Sequence, residues 1–194
     1  MWRHMKIAIK LVFLTAVLLG LVYPLVITGL AQVMFPSQAN GSLVRTGDQV
    51  VGSSLIGQQF ALPEYFHPRP SAAGTGYDGT ASGGSNLGPT SRALAQRVRA
   101  DVARLTKQEP GLRPGRVPAD MATASASGLD PDITLASAEA QVARVAEARG
   151  ISQYEVRRII RSVQSDRQFG LLGEPRVNVL RLNLALDAGG TTPP

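Results

Sequence analysis

Few residues in this chain have the type and spacing to do chemistry. Two histidines, His4 and His67, are the available general bases. A base of that kind needs a nucleophile within hydrogen-bond reach and a third group to orient it. His4 lies next to a long apolar run and His67 precedes Pro68 in a loop, so a triad is not expected, and His67 reads as a residue that hydrogen-bonds or packs. Cysteine is absent, which excludes thiolate nucleophiles, disulfides and thiolate metal sites. No His/Asp/Glu cluster has ligand spacing, so no metal site is expected. Asp130 and Asp132 flank Pro131, a pattern that suits a turn before a helix better than an acid–base pair.

Phosphate binding by a glycine loop needs GxxxxGK followed by Ser or Thr, and the chain has none. The run Ser82-Gly83-Gly84-Ser85-Asn86 has serine and glycine amides that could face a phosphate, but such a run is more commonly an ordinary turn. The turn is the expectation.

The elements that would position these residues begin with Leu11–Phe35, which carries no charge over 25 residues. About 20 apolar residues cross a bilayer as a helix. Gly20, Pro24 and Gly29 are costly in a soluble helix but are accommodated in membrane helices, where Pro24 would kink the span and small residues allow a partner helix to approach. The run is too long for the core of a signal peptide and has no small-x-small cleavage site, so it is expected to stay as an anchor. Arg3, Lys6 and Lys10 precede it and place residues 1–10 in the cytoplasm, with the rest of the chain outside. These three account for half of the +6 net charge. The remainder is scattered, so no nucleic-acid partner is expected.

The 194 residues suffice for this segment, spanning 11–35, and one domain over 36–187, with a disordered tail over 188–194. Short Val/Leu/Ile runs broken by glycine in GSLVRTGDQVVGSSLIGQQF predict small strands and turns. Residues 63–89 are dense in Pro, Gly, Ser and Asn and predict one long loop. Its aromatics favour order, and Arg69 between two prolines has a restrained backbone, so Tyr65, Phe66, Arg69, Tyr77 and Asn86 are candidates for a partner-binding loop.

Leu94, Val98, Val102 and Leu105 mark a helix over 90–107, and Ala138, Val142 and Val145 mark a second over 134–149 that stops at Gly150. Ser152 and Glu155 form a capping box for a third helix running to about Asp166. After Pro175, RVNVLRLNLALD alternates and predicts a strand with a bulge. The fold class expected is α+β: one N-terminal transmembrane helix followed by a small mixed helix/sheet extracytoplasmic domain.

Seven strings in order, LVYPLVITGLAQ, GSSLIGQQF, YFHPRPSA, SGGSNLGPTS, TASASGLDPDI, QVARVAEARG and PRVNVLRLNLALD, give the chain a resemblance to the C subunit of the Kdp potassium-transporting ATPase. The resemblance implies an accessory, non-catalytic subunit in the cell inner membrane. Its implied partners are a P-type ATPase subunit that hydrolyses ATP, a channel-like subunit that conducts K⁺, a small membrane subunit and membrane lipid. No cofactor of its own is implied, since ATP and K⁺ are handled by the partners. The family is also described as a catalytic chaperone that raises the ATPase subunit's affinity for ATP. A direct contact would fall on Gln141 or on Ser82, Gly83, Gly84 and Ser85, whereas an external domain favours indirect action across the membrane. Two departures touch local geometry: Leu135 stands where the family often has proline, and His67-Pro68 where a Trp-Gly pair is also common. The alternatives are a membrane-anchored extracytoplasmic hydrolase, for which His67 would be the base, and a released binding protein.

Overall fold

A computed structural model describes residues 1–189 of the chain. The chain divides into two compact units, Met1–Val51 and a second that begins at Gly52. The first is built on one continuous helix, Trp2–Met34, long and apolar enough to cross a membrane. At about 1.5 Å per residue its 33 residues measure about 50 Å. It comprises α1 (Trp2–Val17), a π-helical turn (Leu18–Val22) and α2 (Tyr23–Met34). Pro24 explains the turn. It has no N–H to donate and its ring crowds the carbonyl four residues back, at Gly20, so the turn just before it widens.

None of this helix is buried within the structure. The helix begins before the apolar run does, so Arg3, Lys6 and Lys10 lie on it as its basic first turns. At its other end Asn40 donates to Gln32 Oε1 at 3.1 Å and to Pro36 O at 2.7 Å, folding the short α3 (Pro36–Ala39) back on the helix end. A two-stranded sheet follows, β1 (Leu43–Thr46) with β2 (Gln49–Ser53), where glycine-broken aliphatic runs predicted small strands.

After β2 the chain is irregular through residue 91, and this stretch includes the long loop over 63–89 that the Pro/Gly/Ser composition predicts. Then α4 (Arg92–Gln108) begins where Ser91 accepts from the Leu94 amide, and a short α5 (Ala119–Ala122) follows. Leu105, Met121 and Ala122 form a small core between them.

The larger core belongs to the C-terminal half. β3 (Asp132–Thr134) leads into α6 (Leu135–Arg149), capped by Thr134 and closed at Gly150 in the left-handed region. The amide of Ile151 returns to Ala146 O at 3.1 Å, which satisfies a carbonyl of the last turn. α7 (Gln153–Val163) starts at Ser152, whose hydroxyl accepts from the Glu155 amide at 3.1 Å. It stops before the expected Asp166, because Gln164–Ser165 pairs as β4 with β5 (Arg176–Asn178). The sheet order is β3-β5-β4, antiparallel, with Ile133 opposite Val177.

The expected C-terminal strand is corrected. Only Arg176–Asn178 is extended, and Val179–Asp187 forms helix α8. Asn178 caps it by accepting from the Arg181 amide at 3.1 Å. Leu180, Leu182, Leu184 and Leu186 alternate in sequence, but the burial follows a wide helical face of Val179, Leu182, Asn183 and Leu186, spaced three and four apart. Phe66, Ile133, Val142, Val145, Val156, Ile159, Val177 and Leu182 fill the space between α6, α7, α8 and the sheet. Burying each such side chain contributes about 1.5–3 kcal/mol. Of the expected tail over 188–194, Ala188 and Gly189 form a turn and the rest lies outside the described residues.

Candidate functional site

Helices α6 and α8 turn polar side chains toward an irregular piece of the long loop, residues 63–67, which opens as a turn with the Tyr65 amide on Leu62 O at 3.2 Å. Gln141 stands in the apolar stripe between Ala138 and Val145, and Arg144 follows one turn later, so both reach the same neighbour. Arg144 Nη1 donates to Pro63 O at 2.6 Å and Tyr65 O at 2.9 Å, and Arg149 Nε donates to Glu64 O at 2.7 Å. Asn183 of α8 accepts from the Phe66 amide at 2.8 Å and donates to Phe66 O at 3.0 Å. Gln141 does the same for His67, at 2.7 Å and 3.0 Å. Every carbonyl from Pro63 to His67 thus takes a side-chain donor. Side chains supply what a neighbouring strand would otherwise supply, which lets irregular backbone pack against the core.

The donors are held in turn. Arg144 Nε donates to both carboxylate oxygens of Glu109, at 2.9 Å and 3.1 Å, and its Nη2 donates to Gln141 Oε1 at 2.7 Å. Glu109 is 2% exposed. Burial pushes its carboxyl above the ordinary range, against the opposing pull of Arg144. His67 shifts the other way: burial, and then the Arg144 charge, hold it below its ordinary value, and its Nε2 lies 3.1 Å from Leu62 O. The carbonyl can only accept, so Nε2 carries the proton in that contact.

Beside this clamp lies a cleft of about 230 Å³ whose polar walls include His67, Arg69, Tyr77, Arg104, Asp120 and Gln141. Its polar groups are mostly committed. Arg69 pairs with Asp130 at 2.9 Å, although its buried Nε has no hydrogen-bond partner. Asp120 accepts from the Thr134 amide at 2.9 Å and from the Ser137 hydroxyl. Tyr77 donates to Arg69 O, and burial together with Asp130 pushes its hydroxyl up to about 12, so it stays protonated. Among the described residues no three His, Cys, Asp or Glu side chains are grouped to hold a metal ion.

The loop residues singled out by sequence divide sharply. Tyr65 donates to Asp187 at 3.1 Å and lies under the Arg149 guanidinium, 5.1 Å from its ring centre. Phe66 is fully buried, Tyr77 donates to Arg69 O, and the Arg69 guanidinium donates to Asp130. Asn86 is exposed, in the left-handed region at φ 52°. Asp130 and Asp132 hold the entry to β3: Asp130 accepts from the Asp132 amide at 3.1 Å, and Asp132, the first residue of the strand, pairs with Arg176 at 2.8 Å.

The glycine–serine run is also occupied. Ser82 Oγ and the Gly83 amide both donate to Ser127 O at 2.9 Å. A Cβ on Gly84 would come within 2.8 Å of Ala126 O, and one on Gly128, at φ +68°, within 2.6 Å of both Ala73 N and Gly83 O. These glycines let two backbone segments touch. Gln141 lines the cleft and Ser82, Gly83, Gly84 and Ser85 do not, so the structure does not bring the candidate nucleotide-contact residues to one pocket.

Sequence reasoning singled out Gln141 but missed Arg144, Glu109, Arg149 and Asn183. The available signal was polar residues within apolar helical stripes, Gln141 between Ala138 and Val145, and Asn183 between Val179 and Leu186. Glu109 gave none, since it follows a helix end.

Residues 5–188 match the model of the family described as KdpC: K⁺-transporting ATPase, c chain. The potassium-transporting ATPase KdpC subunit of Koribacter versatilis is 53% identical over 193 residues, covering 100% of this chain and 97% of the relative. That of Gemmatimonas aurantiaca is 53% identical over 195 residues, with the same shares. That of Myxococcus xanthus is 56% identical over 181 residues, covering 93% of this chain and 85% of its own.

Proposed function

The chain belongs to the KdpC family and is an accessory subunit of the K⁺-transporting Kdp ATPase complex, and from this premise we propose that it performs no chemical step itself. It acts by holding partner subunits together and by biasing the conformation of the one that hydrolyses ATP. The observation that carries the reading is the saturation of the most buried polar groups. Gln141 spends its oxygen on His67 and Arg144 and its nitrogen on His67 and Ser137. Glu109 is held by Arg144 at 2.9 Å and 3.1 Å. Groups committed in this way stabilise a fold, whereas a reacting group needs a free bond to offer its substrate.

The remaining parts of the proposal concern placement. The helix Trp2–Met34 anchors the chain in the cell inner membrane, with Arg3, Lys6 and Lys10 on the cytoplasmic side. Residues 36–187 then lie on the extracytoplasmic side, most of them in the compact unit that begins at Gly52. The partners are a P-type ATPase subunit, a channel-like K⁺-conducting subunit and a small membrane subunit. An external domain cannot touch cytoplasmic ATP, so any effect on nucleotide affinity passes through the membrane as coupling between two conformational states. Such coupling typically changes affinity about 5- to 150-fold.

The test is purification of the tagged chain in detergent from cells grown in low K⁺. The expected result is recovery of a P-type ATPase and a multi-span channel subunit, with hydrolysis that K⁺ stimulates. A chain that purifies alone and hydrolyses a substrate by itself would overturn the reading.

A further inference from the structure

Residues 166–175 leave β4 and return to β5 as a tight excursion with an apolar tip. Phe169, Leu171 and Leu172 are 88%, 76% and 56% exposed. Three large apolar side chains in water at one turn are unusual for a stem so well ordered. Gln168 and Leu172 exchange both backbone bonds, at 2.8 Å and 2.9 Å, and Gly170 N and Leu171 N close the turn onto Arg167 O and Gln168 O. Arg167 Nη2 holds both carboxylate oxygens of Glu174, at 2.9 Å and 2.7 Å. Phe169 itself has φ +55°, a conformation unfavourable for a bulky L-residue, and Gly170 and Gly173 follow at positive φ. The backbone is bent so as to carry these side chains outward.

We infer that the Phe169–Leu172 tip is a docking knob that seats in an apolar socket on a companion subunit of the same transport complex. The inference rests on the reading of this chain as one subunit among several. Size argues for a companion already held nearby. Three side chains offer a patch of a few hundred Å², roughly half of what one side of a stable independent interface buries. A second copy of this chain, meeting it by diffusion, would not be retained by so small a contact. A subunit sharing the same membrane complex is held at high effective concentration, where a small contact suffices to fix orientation. Charge argues for protein over lipid. The excursion and the two strands that form its stem carry Arg167 and Arg176 against Asp166 and Glu174, with no net charge, whereas loops that insert among anionic headgroups carry a basic excess. The fixed turn also suits a fixed socket, since little ordering remains to be done on docking.

The experiment replaces Phe169 with a photoactivatable phenylalanine analogue in the full chain, expressed with its companion subunits, and irradiates native membranes. The expected product is an adduct between this chain and one companion subunit. Adducts with lipid alone, with a second copy of the chain, or no adduct while the chain still co-purifies, would each overturn the inference and leave the subunit assignment intact. Failure of the unsubstituted chain to co-purify with any companion would instead overturn the reading of it as one subunit among several. In parallel, the double substitution Phe169→Ser with Leu171→Ser is expected to lower retention of the chain on the complex by about tenfold or more at an unchanged unfolding midpoint. Unchanged retention would contradict the docking role.

Discussion

Two irregular stretches of this molecule, residues 63–67 and residues 166–175, place their side chains in opposite ways. The first is held against the core, with Phe66 fully buried and every carbonyl taking a donor from Gln141, Arg144, Arg149 or Asn183. The second satisfies its own backbone through the Gln168–Leu172 exchange and turns Phe169 into water. Both are ordered. The difference teaches that the role of an irregular segment follows from where its backbone groups are satisfied. A segment that relies on its neighbours' side chains is part of the core, whereas one that is self-sufficient is free to offer its side chains to another molecule.

Breaking the clamp has the largest expected effect. Arg144→Ala leaves Glu109 buried and uncompensated and strips two carbonyls of their donor, a loss of about 3–5 kcal/mol. Denaturant unfolding of the chain in detergent measures it, and proteolysis near residues 63–67 should accelerate. A loss under about 1 kcal/mol would mean that the loop holds its place without the arginine.

A pair of glycine substitutions sharpens the contrast. At Gly128 a methyl group meets two backbone atoms at 2.6 Å, at φ +68°, so Gly128→Ala should cost about 1–3 kcal/mol through forced backbone shifts. At Gly170, φ is +72° but nothing lies within 4 Å, so Gly170→Ala should cost only the conformational term of about 1 kcal/mol. Equal costs would remove the distinction between packed and free turns.

Acidity should weaken the inner segment. The folded protein holds His67 below its ordinary value of 6.5, because burial and Arg144 oppose its charge. The unfolded chain therefore binds the proton more readily. The stability this residue contributes is fully present above the ordinary value and is lost as pH falls through the lower folded value. Comparing unfolding of the native chain and His67→Asn at about pH 7.5 and about pH 5.5 should show the steeper acid loss in the native chain. Parallel curves would show that His67 is not held neutral. At the tip, Phe169→Ser with Leu171→Ser should leave stability within about 0.5 kcal/mol, the smallest effect of the series, since neither side chain is buried.

Much of this organisation was legible in the sequence. The spacing of Leu94, Val98, Val102 and Leu105 marked α4, and Gly150 and Ser152 marked the end of α6 and the start of α7, because caps are local chemistry. Leu180 through Leu186 misled, since alternate leucines fit a strand and a fully packed helix alike, and only the cap at Asn178 and the three-and-four spacing decide. The order of the long loop was legible from its aromatics, but the direction they face was not. Phe66 turns inward to Asn183 and Tyr65 lies along the surface under Arg149, partners more than eighty residues away in sequence, and such pairing leaves no local trace. The QFGLLG tip drew no notice in sequence, because its apolar residues fit a buried turn equally well.

The most direct measurement compares ATP hydrolysis by the complex purified with and without this chain, and by the chain alone, each with and without K⁺. The account predicts K⁺-stimulated hydrolysis only when the chain is present with its companions, and none from the chain alone. Full K⁺-stimulated hydrolysis by a complex lacking it, or hydrolysis by the isolated chain, would contradict the assignment of a non-catalytic accessory role.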